Sequence, residues 1–146
     1  MTFTAIAHNR HLKYLKNVDT KIEYWLELAE YDLDTARAML DSKRFLYVGF
    51  MCHQSIEKIL KAYWQRSLGT MPPKTHNLAY LIEKVNLHSV IPASMNDIID
   101  ELDPLNIQCR YPEYKDQINR IMNAEYSRKI LLSTIEIFSW LKQKLS

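Results

Sequence analysis

The sequence predicts an all-α protein, a five-helix up-and-down antiparallel bundle. The 146 residues include only 2 Gly and 5 Pro, and because these residues build most tight turns, their scarcity favours long helices with few connections. Apolar residues recur in several stretches with a period of about 3.6 residues, which is typical of amphipathic helices. The apolar content of 47% and the charged content of 25% are those of one globular domain.

The two clearest helices are predicted at residues 20–40 and 45–68. In the first, the apolar residues form one stripe and acidic residues fill the other face. Asp19 or Thr20 is expected to cap its first turn. The second helix should end before Gly69, because glycine is the residue best suited to a left-handed cap.

Three further helices complete the predicted bundle. Thr75 is expected to cap a short third helix, and a fourth covers residues 93–106, with Pro104 predicting a kink or a broken last turn. The last helix covers residues 124–145, and residues 107–123 form a connection. The predicted core takes residues from all five helices: Trp25, Leu33, Phe45, Val48, Ile56, Ile59, Leu81, Ile98, Leu102, Ile130 and Phe138.

The termini and the apolar runs bear on location. Residues 1–18 are weakly periodic and are predicted to form an N-terminal arm or short helix, or an oligomer contact, with the bundle proper at 19–146. The N-terminus lacks the charged region of a signal peptide. The longest apolar run, residues 45–52, is far shorter than the ~20 residues needed to span a bilayer. We therefore expect a cytoplasmic protein with no membrane association.

Charge is distributed unevenly, although the formal net charge is only +2. Residues 43–76 carry six bases and one acid. Lys58 and Lys61 share a face of the second helix, and Glu57 precedes Lys61 in the favourable i,i+4 order. This pattern fits charge matching between neighbouring helices or a solvated face. The alternative is a basic groove for phosphate groups, built from the second helix and the segment after Arg110.

The histidines and cysteines give weak signals. His53 lies beside the apolar stripe of the second helix and is expected to be a partly buried, satisfied residue. His76 follows a predicted cap and is expected to support local structure. Cys52 and Cys109 have neither metal-ligand spacing nor a disulfide framework. No metal site and no cofactor are predicted.

Arg110 begins the most distinctive segment, which continues with Tyr111, Tyr114 and Lys115. A guanidinium group can bind phosphate with two parallel hydrogen bonds, and tyrosine rings offer faces on which bases stack. The segment therefore suits a nucleotide or RNA. Alternatively, Arg110 caps carbonyl groups of the fourth helix while the tyrosines pack against the end of the bundle.

Three ordered segments carry a resemblance to a known family. They are residues 25–36, residues 47–62 and residues 74–78, and they are later joined by residues 109–112. Their order and spacing over residues 20–145 resemble those of the HEPN family (higher eukaryotes and prokaryotes nucleotide-binding domain), in its stand-alone prokaryotic type. Each segment alone is a weak signal, whereas the ordered set is fairly specific.

The resemblance implies a helical bundle that usually dimerises and often works beside a minimal nucleotidyltransferase, as in toxin–antitoxin or defence pairs. Many branches are metal-independent ribonucleases that use an arginine, a polar residue, and a histidine four to six positions after the arginine. Arg110 resembles that arginine, and Tyr111 holds the polar position. The histidine positions hold Tyr114, Lys115 and Asp116, which are poorer proton-transfer groups near neutral pH.

The predicted function is a HEPN-type nucleotide- or RNA-phosphate-binding module, homodimeric, accessory to a nucleotidyltransferase and without ribonuclease activity. The second subunit would cover part of helix two or of the Arg110 segment. One alternative is a divergent metal-independent ribonuclease using Arg110 with Tyr114, Lys115 or a distant histidine, and another is a purely structural dimerisation domain. The candidate ligand-binding residues are Arg110, Tyr111, Tyr114, Lys115, Lys58, Lys61, His53 and His76.

Overall fold

The computed structural model describes residues 2–146, with the side chains of all of these except residues 14, 15 and 112. Within this range all regular secondary structure is helical. It comprises seven α-helices and a short 3-10 helix. In chain order these are α1 (Phe3–Asp41), α2 (Phe45–Leu68), α3 (Leu78–Lys84), α4 (Ala93–Leu102), α5 (Leu105–Gln108), the 3-10 helix (Pro112–Tyr114), α6 (Lys115–Ile121) and α7 (Ala124–Leu145).

The predicted all-α bundle is confirmed, and α2 is its central helix. The most extensive contacts of α2 are with α1 and then with α7, while its remaining sides meet α3, α4, α5 and α6. The count of five helices is only approximate, because the predicted connection at residues 107–123 contains part of α5, the 3-10 helix and α6. These short helices carry Arg110 against α2.

Helix α1 extends well beyond its predicted start. It begins at Phe3, because neither Gly nor Pro interrupts the chain before Gly49. The described side chains of residues 3–17 are exposed, so this part of α1 lacks the core-facing stripe that reveals a helix in a sequence. The predicted caps are wrong, since Asp19 and Thr20 lie inside the helix and the Thr20 hydroxyl donates to the carbonyl of Lys16 at 2.8 Å.

The other helix ends follow local chemistry. Gly69 has a φ of 65° and forms the left-handed end of α2, as predicted. The predicted Thr75 cap is wrong, because Asn77 caps α3 by accepting from the backbone N–H of Tyr80 at 2.9 Å. Pro104 breaks the predicted fourth helix into α4 and α5, as expected for a residue without an N–H.

The predicted core is largely confirmed. Trp25, Phe45 and Ile98 are partly buried at its edge, while the remaining predicted core residues are buried. Gly49 matters for the packing around Arg110, because a Cβ there would lie 3.0 Å from the Met122 side chain and 3.2 Å from the sulfur of Cys109. Glycine therefore lets the α5 region approach α2 closely.

Both cysteines belong to this packed interior. Burial raises the pKa of the Cys52 thiol to about 12 and that of Cys109 to about 11, so both are inert thiols at neutral pH. In the described part of the chain, no helix is both long enough and apolar enough to cross a membrane. No group of three or more His, Cys, Asp and Glu side chains among residues 2–146 could hold a metal ion.

Candidate functional site

Arg110 follows the end of α5 and is held by contacts with α5 and α2. Its Nε donates to the carbonyl oxygen of Asn106 at 2.7 Å. Its guanidinium carbon lies 5.1 Å from the centre of the Phe50 ring and 5.8 Å from that of Tyr111. The Gln54 amide on α2 donates to the Asn106 side chain at 3.2 Å, which fixes α5. One edge of the guanidinium is therefore anchored while the residue stays exposed.

An open groove of about 890 Å³ lies beside Arg110. It runs between the turn that precedes α3, the junction of α4 and α5, and the segment that begins at Tyr111. Its volume is within the range that accommodates a nucleotide-sized ligand. Its lining residues are Thr75, His76, Asn77, Asp103, Pro104, Asn106, Ile107, Arg110, Tyr111 and Glu113.

His76 lines this groove, and its ring is positioned by the buried carboxylate of Glu57. Its Nδ1 lies 3.0 Å from Oε2 of Glu57, and the side chain of His76 is 56% exposed. Glu57 is nearly buried, and its other oxygen accepts from Lys61 Nζ at 2.7 Å. Because a carboxylate partner favours a proton on Nδ1, the Nε2 atom is the one left for solvent or a ligand.

His53 lies beneath His76 and is fully buried. Its Nε2 donates to the backbone carbonyl of His76 at 3.0 Å. Its Nδ1 lies 3.7 Å from the Glu57 carboxylate and has no hydrogen-bond partner among the described residues. His53 is more deeply buried than predicted, so its contact with the groove is indirect, through the backbone that positions His76.

Asp103 connects this histidine to the start of α3. Partial burial raises its pKa, but the nearby His53 ring and the backbone N–H groups of Leu78 and Ala79 lower it more, so the net pKa lies below the usual 3.8. Its Oδ1 accepts from the Leu78 N–H at 3.0 Å and lies 3.7 Å from Nε2 of His53. Asp103 is therefore an ionised acceptor at the floor of the groove at neutral pH.

The two lysines predicted on α2 are placed away from the groove lining. Lys58 donates to Asp32 of α1 at 2.5 Å. Lys61 is buried, pairs with Glu57 and lies 5.6 Å from the centre of the Trp25 ring. Both charges therefore take part in pairing inside the bundle, and at these two positions the structure favours charge matching between and within helices.

The remaining candidates differ in whether they line the groove, the smaller cavity beside it, or neither. Lys115 lines a smaller cavity of about 220 Å³ together with Arg110, Tyr111 and Tyr47. Tyr111 is about half exposed and borders both cavities. Tyr114 ends the 3-10 helix and lies outside both linings. Arg110, Tyr111 and His76 are thus the predicted residues that share one groove.

Sequence reasoning missed the polar amides and the acid that complete the groove. Asn77 precedes α3, Asp103 follows α4 and Asn106 lies in α5, and no spacing in the sequence relates them. Glu57 was noted only as a partner for Lys61, although it also orients His76. A polar residue on the inner face of a helix, such as Glu57, is the signal that could have indicated this role.

Comparisons with known proteins give one consistent result. The sequence model of the family described as HEPN domain matches residues 22–144. TT1696 from Thermus thermophilus aligns with a TM-score of 0.71 at 21% identity, covering 85% of this chain and 98% of its own. ST0689, an archaeal HEPN homologue, aligns with a TM-score of 0.68 at 23% identity, covering 86% and 98%. No curated protein matches.

Proposed function

This chain belongs to the HEPN domain family, and from that premise we propose that its groove binds the phosphate group of a nucleotide or RNA. The proposal rests on the position of Arg110 and on the charges around it. Its Nε is anchored on Asn106, and no carboxylate of the described residues lies within 4.0 Å of its guanidinium. A positioned and unneutralised guanidinium is suited to binding a phosphate with two hydrogen bonds.

The rest of the lining supports a ligand that carries a base as well as a phosphate. The exposed ring of Tyr111 beside Arg110 offers a stacking surface. The side chains of Asn77 and Asp103 supply hydrogen-bonding groups for a base or a sugar. The acidic groups in the lining, Asp103 and Glu113, oppose dense negative charge, and so favour a ligand that places one phosphate at Arg110.

Binding measurements on Arg110 variants test the proposal. We expect Arg110→Ala to weaken binding of a short single-stranded RNA by about 10- to 100-fold, because a hydrogen bond to a charged group contributes about 1.5–3 kcal/mol. Arg110→Lys should lose less, since it keeps the charge but not the fork. Fluorescence anisotropy at two salt concentrations measures both effects.

Arg128→Ala is the matched control, because it removes the same charge from an exposed position on α7 outside the groove. Equal losses in the Arg110→Ala and Arg128→Ala variants would indicate general electrostatic attraction and contradict the groove. Absence of any binding to nucleotides or RNA would favour a purely structural domain.

A metal-independent ribonuclease is the second candidate, and His76 is the observation that favours it. The positions after Arg110 where the family's ribonucleases carry a histidine hold Tyr114, Lys115 and Asp116, which supports binding without cleavage. His76, however, lies in the same groove as Arg110 and is oriented by Glu57. In this candidate, His76 takes the proton of a ribose 2′-hydroxyl, whose oxygen attacks the phosphorus and displaces the 5′-oxygen, and the departing 5′-oxygen takes up a proton from water.

Cleavage of RNA in the presence of EDTA separates these two candidates. If His76 acts as a proton-transfer group, His76→Ala and Arg110→Ala should each abolish cleavage while His76→Ala retains RNA binding. Under the binding proposal, wild-type protein leaves the RNA intact over the same period. Arg128→Ala again reports whether any loss is specific to the groove.

The accessory role completes the proposal. The resemblance to HEPN proteins implies a homodimer that works beside a minimal nucleotidyltransferase, and we extend that arrangement to this chain. Co-expression with a small nucleotidyltransferase encoded beside it, followed by measurement of the mass of the purified complex, tests the partnership. Recovery of each protein alone would contradict the accessory role and would leave the groove proposal to the binding measurements.

A further inference from the structure

The outer face of α1 carries a stripe of exposed residues that runs almost the length of the helix. The stripe repeats in alternating steps of four and three residues, the spacing by which one helix presents a continuous seam to another. From residue 18 onward, the opposite side of α1 forms part of the core, whereas the described side chains of residues 3–17 are all exposed. Among the described residues, the hydrogen bonds and the ion pair of this face stay within α1 itself.

The N-terminal half of the stripe is basic. It consists of Ile6, Arg10, Lys13, Asn17 and Thr20, and all five are exposed. Residues 2–18 contain no Asp or Glu. None of the described ion pairs involves Arg10 or Lys13. The helix thus presents uncompensated positive charge in this half.

The C-terminal half of the stripe is acidic and aromatic. It consists of Tyr24, Glu27, Tyr31, Asp34 and Ala38, again all exposed. The two tyrosines are 57% and 71% exposed, which is unusual for large aromatic side chains on one face. Asp34 pairs with Arg37 of the same helix at 2.6 Å, but exposed pairs of this kind are weak and leave Asp34 able to accept from a second arginine.

The stripe is complementary to itself when two copies run antiparallel and cross at the level of residue 22. Arg10 then lies opposite Asp34, Lys13 opposite Tyr31, and Asn17 opposite Glu27. Nearer the centre Thr20 meets Tyr24, and at the ends Ile6 meets Ala38. These contacts include an ion pair, a cation on an aromatic ring and an amide on a carboxylate. A parallel pair would instead place Arg10 on Arg10 and Asp34 on Asp34.

We propose that this face of α1 is the contact surface for a second copy of this chain, in an isologous antiparallel helix pair. Twofold symmetry makes every contact occur twice. A polyanion such as RNA suits the basic half only, because the acidic half would repel it. A membrane surface is disfavoured, because the bases are not matched by a broad apolar face. The proposal is independent of the groove, whose lining contains none of the described residues of α1.

Charge reversal with rescue tests this pairing. We expect wild-type protein to sediment as a dimer at micromolar concentration and to dissociate as salt is raised, because exposed ion pairs are screened. Arg10→Glu and Asp34→Arg should each weaken dimerisation by about tenfold or more, since attraction is replaced by repulsion at two symmetry-related sites. The Arg10→Glu/Asp34→Arg double variant exchanges both charges and should restore the dimer.

Sedimentation equilibrium on the four proteins gives the answer, with circular dichroism to confirm that each is folded. Arg128→Glu, on α7, is the matched control and should leave the dimer intact. A monomeric wild type, a dimer that survives both single reversals, or a double variant that stays monomeric would each overturn the pairing. So would loss of RNA binding in Arg10→Glu at unchanged mass, which would make the basic half a polyanion surface.

Discussion

Two basic residues near His76, Lys61 and Arg110, stand in opposite environments. Lys61 is buried and is bonded to the buried carboxylate of Glu57. Arg110 is exposed, stacked over Phe50 and anchored through one nitrogen on a backbone carbonyl. The sequence predicted both as possible phosphate ligands, but Lys61 already has a carboxylate partner, whereas Arg110 has none among the residues that the structure describes.

The difference shows that the surroundings of a basic residue in the fold, and not a local excess of basic residues in the sequence, determine whether it can bind a phosphate. Residues 43–76 are strongly basic in sequence, yet Lys58 and Lys61 are paired with Asp32 and Glu57. A buried charge must be paired because its desolvation is costly. The lysines of α2 therefore stabilise the bundle and hold His76 through Glu57, while Arg110 is left to act on a ligand.

Replacing Lys61 should cause the largest loss of stability, and it tests whether this buried lysine stabilises the fold. Lys61→Met should destabilise the protein by about 3 kcal/mol, because it leaves the Glu57 carboxylate buried with a weaker set of partners. RNA binding by the folded fraction should change little. Urea denaturation followed by circular dichroism measures the free energy of unfolding.

Glu57 provides the control for that experiment. In the Glu57→Gln/Lys61→Met double variant no buried charge is left unpaired, so part of the lost stability should return. Arg110→Ala, in contrast, should cost less than about 1 kcal/mol, since it removes one hydrogen bond at the surface. The comparison fails if Lys61→Met is as mild as Arg110→Ala.

Lys58 offers an intermediate case, because its side chain is 23% exposed while its partner Asp32 is 9% exposed. We expect Lys58→Met to cost about 1 kcal/mol, less than Lys61→Met, because water reaches the lysine end of the Lys58–Asp32 pair and screens its attraction. The loss should shrink in high salt, unlike that of Lys61→Met. Equal salt sensitivity of the two variants would show that the burial difference is unimportant.

The fold could be predicted because it depends on a repeated pattern. The apolar stripes of residues 20–40, 45–68 and 124–145 each point one helix face at a core, and Gly69 and Pro104 marked true helix ends. Residues 3–17 were predicted as an arm or a short helix, and not as part of α1, because the exposed part of this helix has no apolar stripe. The helix continues through these residues because neither Gly nor Pro interrupts them.

The site could be predicted only in part. Arg110 and Tyr111 were found because they adjoin in the chain, and His76 because histidines are few. The link from His76 to Glu57 was not found, since the two are contributed by different segments and meet only after α3 docks on α2. Hydrogen bonds between distant segments leave no periodic trace in a sequence.

Asp103 gives the smallest effect and a distinct pH signature. Its pKa in the folded state lies below the unfolded value of 3.8, so its ionisation stabilises the protein above that pH, and the contribution is lost as pH falls through the folded-state pKa. Asp103→Asn keeps an acceptor for the Leu78 N–H and should cost less than about 1 kcal/mol at pH 7. As the pH falls through the folded-state pKa of Asp103, the stability of the variant should converge on that of wild type. Thermal unfolding of both proteins in acid and at neutral pH measures the difference in stability between wild type and Asp103→Asn. If that difference persists or widens in acid, Asp103 is not stabilised as a carboxylate by His53 and the start of α3.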